Sequence, residues 1–143
     1  MKILVDADAC PVKEIIVKIA KQYGIPVIMF VDTSHMLDDR YSEVVTVDKA
    51  PDSVDIALVN RINKGDVVIT QDYGLAALAL HKSNGVINQN GLVYSDSNID
   101  KLLIERHLTQ KARRSGGRIH GPKKRSKEDD KQFEVSFRKL ISV

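Results

Sequence analysis

The sequence predicts a single α/β domain with a mostly parallel central sheet and helices on both faces. Short β-branched apolar runs alternate along the chain with segments of helical periodicity, a pattern typical of parallel βαβ units. The length of 143 residues is that of one domain with its own core, so residues 1–143 are expected to form a single domain. The crossovers between strands are expected to be right-handed.

Four short runs rich in β-branched residues are predicted to be buried strands. They lie at residues 2–6, 26–31, 43–47 and 67–70. Short extended pieces are also expected within residues 85–94, around a turn at Asn90-Gly91. The ends of parallel strands matter for function, because sites in such sheets form beyond the carboxyl ends, where the strand order changes direction.

Five segments are predicted to be helices from their apolar spacing. They lie at residues 11–24, 52–62, 73–82, 95–113 and 128–143. Pro11 suits the first helical position because its missing N–H would be unpaired there, and Gly24 suits a C-terminal cap. Asp52 or Ser53 begins the second helix, and Ser95-Asp96 begins the fourth. A basic loop is predicted at residues 113–127, between the last two helices.

Composition excludes several classes of protein. The chain is 43% apolar and 29% charged, as expected for a folded globular domain. One cysteine rules out an internal disulfide framework. No apolar run reaches the ~18 residues that cross a bilayer, so no membrane partner is expected. The first residues do not resemble a signal peptide, and a cytoplasmic protein is expected. The choice between a monomer and a homo-oligomer stays open.

Charge is distributed unevenly along the chain. Residues 1–104 carry a balance of −4, residues 105–127 a balance of +8 and residues 128–143 a balance of −1. A basic segment on an acidic body suggests a polyanionic partner, and we expect the backbone of RNA or single-stranded nucleic acid. The alternative is a solvated tail. The candidate phosphate contacts are Arg113, Arg114, Arg118, Lys123, Lys124 and Arg125.

Aspartates follow the predicted strands and open the second helix. Asp6 and Asp8 come just after the first strand, and Asp72 follows the fourth. Asp52 and Asp55 are three residues apart, so they share one face of a helix. Converging carboxylates repel each other, and a hard cation such as Mg²⁺ or Mn²⁺ relieves that repulsion. These five aspartates are therefore predicted to hold metal.

Each acid also has a structural interpretation. Asp8 could help to cap the helix after Pro11, Asp72 could cap the next helix, and Asp52 with Asp55 resembles a capping box. Asp6 is the exception, because no helix begins close enough for it to cap. Convergence of all these acids by capping alone is therefore the weaker explanation.

Three stretches of the chain also carry a specific resemblance. They are DADACPVK at 6–13, PDSVD at 51–55 and GDVVITQD at 65–72, followed by GRIHGP at 117–122 and the final helix with Phe133. In order and spacing they resemble the YaiI/YqxD family of uncharacterised bacterial proteins, over nearly the whole chain. That family is grouped with PIN-like domains, which are metal-dependent nucleases with an acidic pocket on a parallel sheet.

The resemblance implies roles for individual residues. Asp6 and Asp8 match the first acidic motif, Asp55 the helix acid and Asp72 the acid after the fourth strand; these four would be catalytic. Asp52 matches the second helix acid of the family. This chain departs from PIN nucleases in carrying Asp rather than Glu at position 55. It also has His120 before Gly121, where the family favours Thr.

The leading hypothesis is a PIN-like nuclease, dependent on Mg²⁺ or Mn²⁺, that cleaves RNA or single strands by attack of a metal-activated water. One alternative is a non-catalytic nucleic-acid-binding module that keeps the acidic pocket. Another is a metal-dependent phosphatase for small substrates, which the basic segment argues against. Cys10 is interpreted as a packing residue rather than a reactive thiol. The spacing of the histidines does not indicate a zinc site.

Overall fold

The computed structural model describes residues 1–32, 37–116 and 124–142. Within them, five parallel strands form one sheet in the order β3-β2-β1-β4-β5. The strands are β1 (Ile3–Asp6), β2 (Val27–Asp32), β3 (Glu43–Val47), β4 (Val67–Ile69) and β5 (Gly85–Ile87). The helices are α1 (Lys13–Tyr23), α2 (Ser53–Arg61), α3 (Tyr73–Leu80), α4 (Asp96–Arg114) and α5 (Lys127–Ile141). The predicted α/β class and single domain architecture are confirmed.

Helices cover both faces of the sheet. On one face α1 and α5 pack against alternate strand residues, with Ile16 and Phe133 among the buried side chains. On the other face α2, α3 and α4 cover the strand residues between them, with Leu58 and Leu75 among the buried side chains. Strands buried on both faces are expected to be continuously apolar, as β2 is, because neither face meets water.

The strand order changes direction between β1 and β4. The chain passes from β1 outward to β2 and β3, then returns past β1 to place β4 and β5 on the other side. The carboxyl ends of β1 and β4 therefore border the crevice in which parallel sheets of this kind bind ligands. Asp6 ends β1, and Asp72 follows β4 at this crevice.

Helix boundaries differ from the sequence predictions where the chain makes a turn. α1 begins at Lys13 with Val12 at its N-cap, because Pro11 belongs to a turn that starts where the Cys10 N–H donates to the Ala7 carbonyl. Gly24 ends this helix as predicted, in the left-handed region at φ 67°. β2 extends to Asp32, one residue further than predicted.

Both ends of the basic loop predicted at 113–127 lie in helices. α4 extends through Arg113 and Arg114, and α5 already begins at Lys127 with Ser126 as its N-cap. The predicted end of α4 at residue 113 is thus one residue short, because exposed charged residues propagate a helix well. Arg118, Lys123 and the GRIHGP motif lie outside the described residues.

Candidate metal and nucleic-acid site

The acidic site lies at the carboxyl ends of the strands. Asp6 ends β1, Asp32 ends β2, and Asp72 follows β4 as the N-cap of α3. Asp52 and Asp55 come from the start of α2 and face the same region, since both line a cleft with Asp72. Four of the five predicted acids, Asp6, Asp52, Asp55 and Asp72, are thus at this end of the sheet, together with Asp32, which was not predicted.

Asp6 is partly buried, and its pKa is the most strongly shifted of these acids. Loss of hydration raises its pKa to about 6, against a lowering by the Thr70 hydroxyl, which donates to Asp6 Oδ2 over 2.9 Å. The negative charges of Asp55, Asp72 and Asp8 raise the pKa further. Those contributions show that the other three acids are near enough to interact with Asp6. A carboxylate in this position is poorly compensated.

Asp72 has a structural role as well as its place in the cluster. Its Oδ1 accepts a hydrogen bond from the Leu75 backbone N–H at 3.0 Å, which confirms the interpretation of Asp72 as a helix cap. The backbone N–H of Asp72 in turn donates to the Thr70 hydroxyl at 3.0 Å. Thr70 therefore connects Asp6 and Asp72, so the two acids are positioned by one buried side chain.

The acids of α2 do not form the capping box that their spacing suggests. In the described part of the chain, Asp52 makes no side-chain cap to α2, and its backbone is left-handed at φ 63°. Burial raises the pKa of Asp55, and the charges of Asp72 and Asp52 add to this effect. The structural explanation of this pair is therefore wrong, and both carboxylates are available to the cleft.

Asp8 points toward the neighbouring strand end. Its Oδ2 accepts a hydrogen bond from the Asp32 backbone N–H at 3.1 Å, so Asp8 fixes the ends of β1 and β2 relative to each other. It does not cap α1, whose N-cap is Val12. Asp8 thus contributes charge to the site and also holds the loop in place.

Two functional candidates were missed by sequence reasoning. Asp32 lines the acidic cleft, and its signal was available, because it ends an apolar strand just as Asp6 does. Thr70 joins Asp6 and Asp72 but carries no such signal, since a threonine at a strand end is ordinary. Its role depends on the pairing of β1 with β4.

Two adjoining clefts open at this end of the molecule. The first, of about 400 Å³, is lined by acids that include Asp32 and Asp48. The second, of about 670 Å³, lies between α2, α3 and α4 and includes Arg106. Asp52, Asp55 and Asp72 line both clefts, so these three candidate metal ligands lie where the two meet, whereas Asp6 and Asp8 line neither cleft.

Left-handed backbone also concentrates at this site. Of the three described residues other than glycine with positive φ, Ala9 at 61° adjoins Asp8 and Asp52 at 63° is itself an acid of the cleft. An alanine in this region costs about 1 kcal/mol or more. The Gln71 side chain donates to the Ala9 carbonyl at 2.7 Å and holds the turn in place. Strain of this kind tends to be retained at functional sites.

The chemistry of the site fits a hard cation. Carboxylate and hydroxyl oxygens are the donors that Mg²⁺ and Mn²⁺ prefer. Among residues 1–32, 37–116 and 124–142, no three Asp, Glu, His or Cys side chains form a group that would hold one metal ion. Mg²⁺ does not require such a group, because it is commonly bound by one or two carboxylates and keeps several waters.

The basic residues divide into exposed and internally bonded side chains. Arg113, Arg114 and Lys124 are exposed. Arg125 instead donates three hydrogen bonds, each of 2.7 Å, to Asp130 Oδ1, Asn90 Oδ1 and the Gln89 carbonyl. Its guanidinium therefore fixes the start of α5 to the loop after β5, a role that competes with the predicted phosphate contact.

The remaining candidates fit structural roles. Cys10 is 5% exposed, and burial raises the pKa of its thiol, as expected for a packing residue rather than a nucleophile. His81 lies 3.3 Å from Asp96, with both side chains exposed. In the part of the chain that is described, no helix is long and apolar enough to span a bilayer.

Comparison with known proteins identifies the family. A family model described as "Uncharacterized BCR, YaiI/YqxD family" matches residues 4–143. The UPF0178 protein of Ruminiclostridium cellulolyticum is 67% identical over 137 residues, covering 96% of this chain and 90% of the relative. The UPF0178 protein of Alkaliphilus oremlandii is 56% identical over 134 residues, covering 94% and 86%. No solved structure matches the chain. The chain therefore belongs to the YaiI/YqxD family, as its motifs indicated.

Proposed function

We propose that this protein is a PIN-like nuclease that cleaves RNA or single-stranded nucleic acid with the help of Mg²⁺ or Mn²⁺. The observation that carries the proposal is the cluster around Asp6. A partly buried carboxylate whose pKa is raised by burial and by three acidic neighbours is unfavourable unless a cation offsets the charge. The cluster lies at the strand-order switch, where parallel sheets bind ligands.

Asp6 and Asp72 would be the main metal ligands, with Asp55 facing them from α2. Thr70 holds the first two in position through its hydroxyl group. Asp8 and Asp52 would act from one side, the former by fixing the β2 end and the latter by adding charge. When bound, a divalent ion supplies an activated water and stabilises charge on the phosphate.

The second candidate function is nucleic-acid binding without cleavage. The exposed Arg113 and Arg114 at the end of α4 favour it, since phosphate contacts alone are enough for binding. Binding without cleavage does not require the acids to converge, so this function does not explain the raised pKa of Asp6.

The test is a cleavage assay on end-labelled single-stranded RNA with Mg²⁺, Mn²⁺ or EDTA. Asp6→Asn and Asp72→Asn remove charge at nearly constant shape, and Asn at position 72 still caps α3. Asp100→Asn is the matched control, because Asp100 is an exposed acid on the outer part of α4. We expect wild type and the control to cleave, and each site variant to lose at least about 100-fold in rate.

Three results would decide between the candidate functions. Binding of the RNA without cleavage by wild type, in either metal, would favour the non-catalytic module. Cleavage that both site variants retain would show that the acids are not the catalytic groups. Cleavage that persists in EDTA would remove the metal from the proposal.

A further inference from the structure

The second cleft contains a positively charged side chain, Arg106, whose position is not explained by the acidic site. Arg106 projects from α4 into the cleft between α2, α3 and α4. Among the described residues that line this cleft, Arg106 is the only cation, and Asp52, Asp55 and Asp72 line the cleft with it. For a polyanion bound in this cleft, Arg106 would therefore be the one positively charged side chain of the described lining residues.

The arginine is not committed to a structural partner. Its Nη1 lies 3.7 Å from Asp72 Oδ1, with the two side chains 45% and 44% exposed. In the described part of the chain it donates no hydrogen bond, whereas Arg125 donates three. An exposed ion pair at this distance contributes little to stability, so the guanidinium keeps its N–H donors for a ligand. A guanidinium binds phosphate oxygens through two parallel hydrogen bonds.

The wall beside Arg106 is apolar and open to solvent. Ile56 of α2 and Leu78 of α3 line the cleft, and they are 61% and 59% exposed. Gln110, one helical turn beyond Arg106, lines the same cleft and adds an amide. An exposed apolar surface in the same cleft as a guanidinium group and several carboxylates suits the flat face of a nucleobase.

Position 74 keeps the space between the acid and the arginine open. A Cβ on Gly74 would lie 3.2 Å from Asp72 Oδ1 and 4.0 Å from Arg106 Nη2. Gly74 is in the first turn of α3, where alanine would be the better helix former. A glycine that helix propensity disfavours is explained if the space beside Asp72 and Arg106 must admit a ligand.

We propose that this cleft is a nucleotide-binding site, in which Arg106 holds a backbone phosphate of single-stranded nucleic acid while Ile56 and Leu78 contact the adjoining base. The inference rests on the proposed nucleic-acid substrate and adds the residues that position it. Arg106 is a positioning residue: it would place the strand so that the next phosphate reaches the acids at the junction of the two clefts.

The test is equilibrium binding of a fluorescein-labelled single-stranded RNA with phosphorothioate linkages, titrated with salt in the presence of Mg²⁺. Arg106→Gln should weaken binding about 10-fold and reduce the log–log salt slope by about 0.7, the value for one phosphate contact on a single strand. Arg106→Lys should keep the slope and regain only part of the affinity, because an ammonium lacks the planar fork.

Arg40→Gln is the matched control for charge. Arg40 is exposed, and the adjoining Tyr41 donates from its hydroxyl to the Ile25 carbonyl before β2, at the opposite end of the sheet. The control should leave both affinity and slope unchanged. Arg106→Gln should also melt at the wild-type temperature, since an exposed pair of this kind adds little stability.

The base contact is tested with an abasic oligomer of the same length. Leu78→Ala should weaken binding of the RNA several-fold, on the order of one lost base contact, and leave the abasic oligomer unaffected. Val135→Ala is its control, because Val135 is 67% exposed on α5. Gly74→Ala should weaken both probes, since the added methyl group enters the phosphate side of the cleft.

The outcomes separate this inference from the nuclease proposal. If wild type binds and cleaves RNA while Arg106→Gln binds it equally well with the same slope, the inference is wrong and the nuclease stands. If wild type binds without cleaving and Arg106→Gln is impaired, the inference stands and the nuclease fails. If wild type does not bind the probe, the cleft is not a nucleotide site.

Discussion

Two aspartates at opposite ends of the sheet are treated differently by the fold. Asp66 lies at the amino end of β4 with its side chain 4% exposed. Its carboxylate pairs with the Lys2 ammonium at 2.5 Å and accepts from the Lys2 and Asn63 backbone N–H groups at 3.1 and 2.7 Å. Burial alone would raise the pKa of Asp66, but these hydrogen bonds lower it below the usual value.

Asp6 lies at the carboxyl end with the opposite balance. One hydroxyl donates to it, three acids repel it, and its pKa rises to about 6. This fold therefore compensates a buried carboxylate fully at the amino end of the sheet, where only stability is at stake. At the carboxyl end it does not, and the proposed cation would account for that difference.

The largest expected effect is the loss of the compensated acid. Asp66→Asn should lower the free energy of unfolding by about 3 kcal/mol at pH 7, because it leaves the partly buried Lys2 without its partner charge. Since the folded pKa of Asp66 is depressed, the wild-type advantage should be full above pH ~4 and lost as pH falls through that pKa. Urea unfolding at several pH values measures it. If both proteins unfold at the same urea concentration at pH 7, Asp66 is not the stabilising, compensated acid that the contrast with Asp6 requires.

Replacing Asp6, the uncompensated acid, should change the free energy of unfolding in the opposite direction. Asp6→Asn should raise the free energy of unfolding by about 2 kcal/mol at pH 8 without divalent metal, because the ionised carboxylate is penalised by burial. The folded pKa is raised, so wild type loses stability as pH rises from about 3.8 through about 6. Below pH ~4 the two proteins should be equally stable. A variant less stable than wild type at pH 8 would mean that Asp6 is compensated after all.

Much of the fold was predictable because apolar runs in a buried parallel sheet are unambiguous. β3 at Glu43–Val47 matches its prediction at both ends, and β4 is one residue shorter than predicted. Boundaries failed where a tertiary turn competes with local propensity, as at Pro11 before α1. The extent of α4, by contrast, matches its prediction of 95–113 to within one residue at each end, although its charged end has no apolar period to mark it.

The site was predictable in its acids but not in the groups that organise them. Strand ends and helix starts located Asp6, Asp55 and Asp72, since parallel strands bring their carboxyl ends together. Thr70 and Arg106 were not singled out for the site, because their roles depend on which elements lie side by side. Arg125 was placed with the phosphate contacts on charge alone, and only its three internal bonds show another role.

That internal role of Arg125 predicts the third effect. Arg125→Ala should lower the free energy of unfolding by about 1.5 kcal/mol, because it breaks hydrogen bonds to a carboxylate, an amide and a backbone carbonyl. Arg125→Lys should recover little of this, since an ammonium cannot span all three acceptors. The exposed neighbour gives the control, and Lys124→Ala should be neutral in urea unfolding. A neutral Arg125→Ala would return that side chain to the candidate phosphate contacts.

The smallest expected effect tests whether a bound cation compensates the acids at the carboxyl end, as Lys2 compensates Asp66 at the amino end. Mn²⁺ at about ten times its dissociation constant should stabilise wild type by about 1.4 kcal/mol through mass action, and raise its melting temperature accordingly. Asp72→Asn should respond less because a candidate ligand is lost, whereas Asp100→Asn should respond as wild type does.

A sharper measurement compares the free energies of unfolding of wild type and Asp6→Asn, first without metal and then with Mn²⁺. Without metal the variant should be the more stable protein above pH ~6, since it lacks the penalised charge. With Mn²⁺ wild type gains binding free energy that the variant largely lacks, so the difference should shrink by about 1 kcal/mol. If millimolar Mn²⁺ changes neither this difference in the free energy of unfolding nor the stability of wild type, the acids do not share a cation. The repulsion around Asp6 would then need another ligand to offset it. Such a ligand could also bond with Arg106, which lies 3.7 Å from Asp72 in the second cleft.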